Sequence, residues 1–284
     1  MLTDTHAHLY WDSFKQDFAS VIQNSLDVGV TTIINVGVDV EKSKQALELD
    51  SGQAKMTFYS TVGIHPHEAI KFAANPNVLI PAEIKKLEDV YYQNIKKIVA
   101  IGECGLDFAF DNNPDFQLSK LNSDQTRRLQ VQLFKEQIGL ARKLNLPLVI
   151  HCRDERSQDP WNIDAWNHIL PMVANSRGIL HCYSGTAEIT KKALDLDFLI
   201  SFAGTLTYPK NEYLREAAEN IPLNRICIET DCPFLPPQSK RGQRNEPSNV
   251  LEVAKTIAEI KGISLEEVAN KTTENVKRLF NLKI

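Results

Sequence analysis

The 284-residue sequence lacks several things, and each absence removes a class of protein. No window approaches the ~18 consecutive apolar residues of a membrane-spanning helix. The start, Met1-Leu2-Thr3-Asp4-Thr5-His6, has no basic stretch leading into an apolar run, so no secretory signal is readable. Cysteine is scarce: five residues, an odd number with no Cys-x-x-Cys spacing, suit a reducing cytoplasm better than a disulfide framework. Positive charge is not in excess either. A net charge of -4 makes no global basic field and excludes a protein that coats long stretches of nucleic acid. Internal repeats and low-complexity segments are missing. What remains, 43% hydrophobic and 24% charged, is an ordinary globular composition.

Short apolar, β-branched runs recur along the chain at 2–6, 31–36, 57–63, 97–103, 147–151, 178–181, 197–201 and 225–229. Their continuous apolar character suits strands buried on both faces of a parallel sheet. Helical periodicity lies between them at 15–28, 41–50, 82–93, 124–145, 164–174, 187–194, 211–219 and 249–260. Strand and helix alternating eight times over 1–284 is the order of a single (β/α)8 TIM barrel, one α/β domain. An open doubly wound sheet is the competing fold, but no glycine-rich phosphate loop follows the first strand. Ser264-Leu265-Glu266-Glu267 is a capping-box pattern opening a last helix through Phe280. The connections 65–81, 104–123 and 232–248 are longer than a barrel needs. All follow strands, and so belong to the C-terminal face where barrel active sites form.

The histidines carry the functional information. Of seven, His6, His8, His65, His151 and His181 fall at or just beyond strand ends, and His67 follows two residues along the third loop. His168 alone lies inside a helix, where a surface or packing role is expected. Strand four ends in Glu103 and strand eight in Glu229-Thr230-Asp231. His6-Ala7-His8 puts two imidazoles on one side of an extended chain. Alone that pair says little. Joined by Glu103, His151, His181 and Asp231 from other strand ends, it makes a metal centre at the barrel mouth. Four histidines and two carboxylates can hold two divalent ions with Glu103 as bridge; such a pair, ~3.5–4 Å apart, activates water and stabilises charge on a phosphoryl oxygen. A hydrogen-bonded polar core is the bland alternative, costly for six converging groups. Cys104, Cys152, Cys182 and Cys232 each follow a proposed ligand. Alternation turns them toward the helical layer as packing residues.

Taken in order, Asp4-Thr5-His6-Ala7-His8, Gly63-Ile64-His65-Pro66-His67, Ile101-Gly102-Glu103-Cys104-Gly105-Leu106-Asp107, His151-Cys152-Arg153-Asp154, His181-Cys182-Tyr183-Ser184-Gly185 and Glu229-Thr230-Asp231-Cys232-Pro233 form a pattern. It resembles the TatD family of metal-dependent deoxyribonucleases, among the amidohydrolase-like barrels. The resemblance extends through Arg244-Asn245-Glu246-Pro247 and the closing Asn275-Val276-Lys277-Arg278-Leu279-Phe280. It implies that His6, His8, Glu103 and Asp231 serve one metal, and Glu103, His151 and His181 the other. The segment 108–123 looks longer than the family's usual loop.

The resemblance implies an exonuclease that cleaves DNA phosphodiesters, at chain ends or in single strands, and the residues suit doing so through a metal-activated water. Asp231 would accept the proton, with Glu103 its partner in catalysis. Arg153 and Arg244 would grip phosphate oxygens with their planar heads, and His65 and His67 from the opposite loop. The basic run Lys240-Arg241-Gln243-Arg244 could follow a DNA backbone or be a solvated face. The histidine-rich set suits zinc or manganese; the resemblance implies magnesium, and the ion stays open. No obligatory protein partner and no membrane are expected. Two further readings stand beside this one: hydrolysis of a C–N or C–O bond in a small molecule, and a non-catalytic barrel scaffold. Arginines and long loops speak against the first, the intact ligand set against the second.

Overall fold

The computed structural model describes residues 1–110, 114–119, 121–154 and 164–282. Eight strands, β1 (Leu2–Ala7), β2 (Val30–Val36), β3 (Thr57–Val62), β4 (Ile98–Asp107), β5 (Leu148–Arg153), β6 (Arg177–Leu180), β7 (Asp197–Phe202) and β8 (Ile226–Ile228), pair in parallel and in chain order. The ring closes through a parallel bridge between Ala7 and Cys232, with His8 N–H donating to the Cys232 carbonyl at 2.9 Å. This is the (β/α)8 barrel. Around it run α1 (Phe18–Asp27), α2 (Val40–Glu48), α3 (Pro76–Gln93), α4 (Pro114–Ser119), α5 (Ser123–Leu144), α6 (Asp164–Met172), α7 (Ala187–Leu194), α8 (Glu212–Asn220), α9 (Val250–Lys261) and α10 (Leu265–Phe280).

Local chemistry explains the element ends. Asn122 and Gln125 form a reciprocal capping box at the start of α5, and Asn145 ends it in the left-handed region. Leu129, Leu133, Phe134, Ile138 and Ala141 supply the helix's buried face. At α10 the Ser264 hydroxyl accepts from the Glu267 N–H at 3.1 Å, as the sequence pattern predicts.

Two apolar clusters hold the layers together. The larger lies between strands and helices and contains Cys104, Cys152 and Cys232. The smaller gathers Ile34, Val36, Val99, Val149, Ile179, Leu199 and Cys227 inside the barrel, with Val276 and Phe280 of α10. Helix α10 closes the N-terminal end of the barrel. Its Thr273 hydroxyl donates to the Met1 carbonyl, and the Asn275 amide donates to the carbonyls of Leu223 and Ile226.

Three expectations need correction. Strand β4 does not end at Glu103 but runs on to Asp107. Gly102 and Gly105 make this possible, with φ of +150° and +135°; a Cβ on Gly105 would stand 2.0 Å from the His151 carbonyl oxygen. β4 therefore stays against β5 where a side chain would push it off. The connection 65–81 is not a loop throughout: a 3-10 helix spans Pro66–Phe72, and α3 starts at Pro76, proline being pre-set for a first helical turn. The connection 104–123 is strand as far as Asp107 and contains α4, while its residues 111–113 and 120 lie outside the described set. Among the described residues no helix is long and apolar enough to cross a membrane.

Candidate metal centre

Period-two alternation builds the site. Val149 and His151 on β5, Ile179 and His181 at the end of β6, and Cys227 and Glu229 at the end of β8 are each two residues apart. In each pair the first belongs to the inner apolar cluster. The second therefore projects from the same face one layer higher, at the C-terminal mouth. Strands β1 and β4 depart from even alternation, with register shifts between Asp4 and Ala7 and between Ile101 and Cys104. His6 and Glu103 sit inside those two irregularities, which re-aim side chains as β-bulges do beside active sites.

Glu103 lies at the centre. Its Oε1 is 2.9 Å from His151 Nδ1 and 3.0 Å from His181 Nε2. Its Oε2 is 3.4 Å from His6 Nε2 and 3.9 Å from His8 Nε2. Asp231 Oδ1 stands 3.4 Å from His8 Nε2 and 3.7 Å from His6 Nε2, and the His6 and His8 Nε2 atoms are 3.2 Å apart. Asp231 has a positive φ of 58°, and its N–H donates to the His6 carbonyl at 2.8 Å. The six residues singled out by position thus meet within hydrogen-bonding or near-coordinating distances. His65 joins them with Nε2 3.6 Å from Glu103 Oε1.

A ring of supporting groups holds these side chains, and most of it was not identified in the sequence. Asp107, buried, puts Oδ2 3.0 Å from His151 Nε2 and 3.0 Å from His67 Nε2, and it accepts from Arg153 at 3.0 and 2.9 Å. Glu229 Oε1 lies 3.0 Å from His181 Nδ1 and accepts the Cys182 N–H at 2.6 Å. His8 Nδ1 donates to the Val36 carbonyl at 2.8 Å, leaving Nε2 free to face the cluster. Asp4 accepts from the N–H groups of His6 and Thr230 and from the Thr230 hydroxyl, tying β1 to the turn that bears Asp231. Asn245, fully buried, braces the same turn by donating to the carbonyls of Thr230 and Phe234. Carboxylates and carbonyls on the far nitrogens of histidines are the usual outer support of a metal site. Asp107 had a readable signal: 103, 105 and 107 share a face once the strand is carried past Glu103.

Electrostatics divides the protons. Burial pushes the Glu103 carboxyl up, but His181, His65 and His6 hold it well below the ordinary carboxylate range. Burial likewise raises Asp231, outweighed by the hydrogen bond to His8 and the charges of His6 and His181. Burial lowers His181, yet Glu229 and Glu103 hold it well above the usual imidazole range. His65 falls well below that range because it is buried. Two ionised carboxylates facing imidazole nitrogens in a buried setting form a donor set that suits divalent cations, once the cation has displaced the imidazole protons. Compatible trios are His6-Glu103-His181, His6-His8-Asp231 and His65-Asp107-His151.

The four residues expected to bind substrate are not equivalent. His65 lies in the cluster, and His67 and Arg153 converge on Asp107. Arg244 is turned to Asp17, at 2.6 and 2.9 Å, to the Ser13 carbonyl, and over the Phe14 ring at 4.4 Å. With Lys240 and Gln243 it lines a surface cavity of about 580 Å³ that includes none of the six central residues. The cluster, not that cavity, has the chemistry of a site. His168 is half-exposed and edges against Phe108 at 5.8 Å, a packing role.

A (β/α)8 barrel with such a cluster at its mouth is built as a metal-dependent hydrolase. Comparison with known proteins agrees. The family model described as TatD related DNase matches residues 3–281, and the chain belongs to that family. It is 36% identical to the uncharacterized metal-dependent hydrolase YabD of Bacillus subtilis, covering 99% of this chain and 100% of that one. It is 29% identical to the 3'-5' ssDNA/RNA exonuclease TatD of Pantoea ananatis, over 98% of this chain and 99% of the other. The crystal structure of YjjV, a TatD homologue from Escherichia coli, superposes with a TM-score of 0.78 at 25% identity, over 99% and 98% of the two chains. The protein is a metal-dependent hydrolase of the TatD family.

Proposed function

We propose that this hydrolase is an exonuclease that shortens single-stranded nucleic acid, DNA foremost, by cleaving phosphodiesters with two divalent ions. His6, His8, Glu103 and Asp231 would hold one ion, and Glu103, His151 and His181 the other. The observation that carries this is the Glu103 carboxylate, one oxygen facing His151 and His181 and the other facing His6 and His8. Bound ions would activate a water and offset the charge developing on the phosphoryl oxygens.

The chain's own residues supply the rest. Asp231 is ionised and more open than Glu103, with 14% against 5% of its side chain exposed, so it is the group to accept the water's proton. Arg153 is 46% exposed and held in orientation by Asp107 and the Ala109 carbonyl, and its remaining N–H groups would meet a phosphate. His67 meets the same Asp107 oxygen, with the His65 ring against its own. Arg244 would have to exchange Asp17 for a phosphate, which makes it the weakest of the four. The Pantoea relative's activity on single-stranded DNA and RNA supports the substrate class.

End-labelled single-stranded DNA incubated with zinc, manganese or magnesium tests the proposal. Stepwise shortening is expected, abolished by chelation and by Glu103→Ala. Intact strands under every ion, with turnover of a small amide or ester instead, would overturn it.

A further inference from the structure

Two aromatic side chains at the rim of the site have no part in the chemistry above. Trp11 follows His8 on the loop after β1, and Phe234 follows Asp231 on the loop after β8. Among the described residues they are the only two markedly exposed large aromatic rings in contact with each other, 37% and 46% exposed. Their centroids are 5.7 Å apart at 84°, an edge-on pair in which both rings remain solvent-exposed. Lone exposed apolar residues are ordinary on a soluble surface. Paired rings from two loops beside a polar site are not.

The pair is continuous with the metal centre. The Phe234 ring is 6.2 Å from the His8 ring, and the Trp11 N–H donates to the His8 carbonyl at 3.2 Å. Backbone bonds fix both loops, since Phe234 N–H donates to the Asp231 carbonyl at 2.9 Å and Asn245 holds the Phe234 carbonyl. The Lys42 ammonium lies 5.8 Å from the centre of the Trp11 ring and 5.9 Å from that of Tyr10. The neighbouring Asp12 is neutralised by Lys15 at 2.8 Å. Flat apolar faces, a cation beside them and a phosphate-cleaving centre one ring away together match one chemical object: a nucleotide of an unpaired strand.

Resting on the nuclease reading, we infer that Trp11 and Phe234 form a stacking site for one unpaired nucleobase next to the scissile phosphate, with Lys42 meeting the strand's backbone. Every base has a π-face, so the site would tolerate any sequence. It would discriminate against duplex, whose bases are already stacked and paired.

A ring-against-base cycle tests this on the metal-loaded enzyme. The substrates are an oligothymidylate and versions with one abasic residue at each of the last three positions of either end. The proteins are wild type, Trp11→Ala, Phe234→Ala and the conservative Trp11→Phe. Removing the stacked base, or a ring, should each lower kcat/KM by about tenfold to a hundredfold. For one abasic position the two losses should not add, because each removes the same contact. Trp11→Phe should recover most of the rate. Additive losses at every position, or no loss on removing the rings, overturn the stacking site and leave the nuclease standing. If wild type cuts no oligonucleotide at all, the nuclease reading falls, and this inference with it.

Discussion

At the scale of single residues, the decisive feature is how each histidine is held on its far side. His151 leans on Asp107, His181 on Glu229 and His8 on the Val36 carbonyl. Asp107→Asn should lower metal affinity or activity by about 10- to 100-fold, and Glu229→Gln by a similar factor. Metal content after dialysis against graded chelator, read alongside the rate, separates this from lost substrate contact. Arg153→Ala should slow cleavage yet keep the metal. Protonation gives a second check. His181 is held above its ordinary range by Glu229 and Glu103, so a cation taken up by the proposed site would have to displace its proton. Metal uptake should release protons and tighten as pH rises above the ordinary imidazole range, because fewer protons then compete for the ligands. Affinity that is flat across that rise, in a competitive dye titration, would contradict the assignment.

At the scale of elements, glycine placement separates tolerant from intolerant positions. Gly105 on β4 has a positive φ and no room for a Cβ against the His151 carbonyl. Gly105→Ala should cost about 2–5 kcal/mol and disturb the β4–β5 contact that sets Glu103 beside His151. Gly139 in α5 is exposed, with no unusual backbone angle and no atom within 4 Å of the place a methyl group would occupy. Gly139→Ala should stabilise by about 0.5–1 kcal/mol. Urea unfolding of both variants reads the two signs. Both elements were legible from pattern, strand from its apolar run and helix from its 3.6-residue period. The length of β4 was not, because glycines that usually interrupt a strand here extend one.

At the scale of the whole molecule, the six central residues come from five strands and the turns that follow them and span His6 to Asp231, so a cation held by them would bind the folded ring and not the open chain. Metal at about 100 times its Kd should add about 2.7 kcal/mol to stability. Thermal unfolding should therefore move down on chelation and return on adding zinc or manganese, with Glu103→Ala insensitive to both. An unfolding temperature blind to chelation in the wild type would count against a built-in metal centre.

The alternation of strands and helices, the gathering of histidines at strand ends and the apolar layer beneath them were set by local pattern, which needs no knowledge of distant neighbours. Tertiary structure alone decided which groups face one another: Asp107 under His151, Glu229 under His181, Asp4 locked to Thr230, and Arg244 bound to Asp17. The reason is physical. Those pairings depend on barrel closure and on one-residue register shifts around Glu103 and His6 that re-aim side chains, and one-dimensional periodicity carries no record of either.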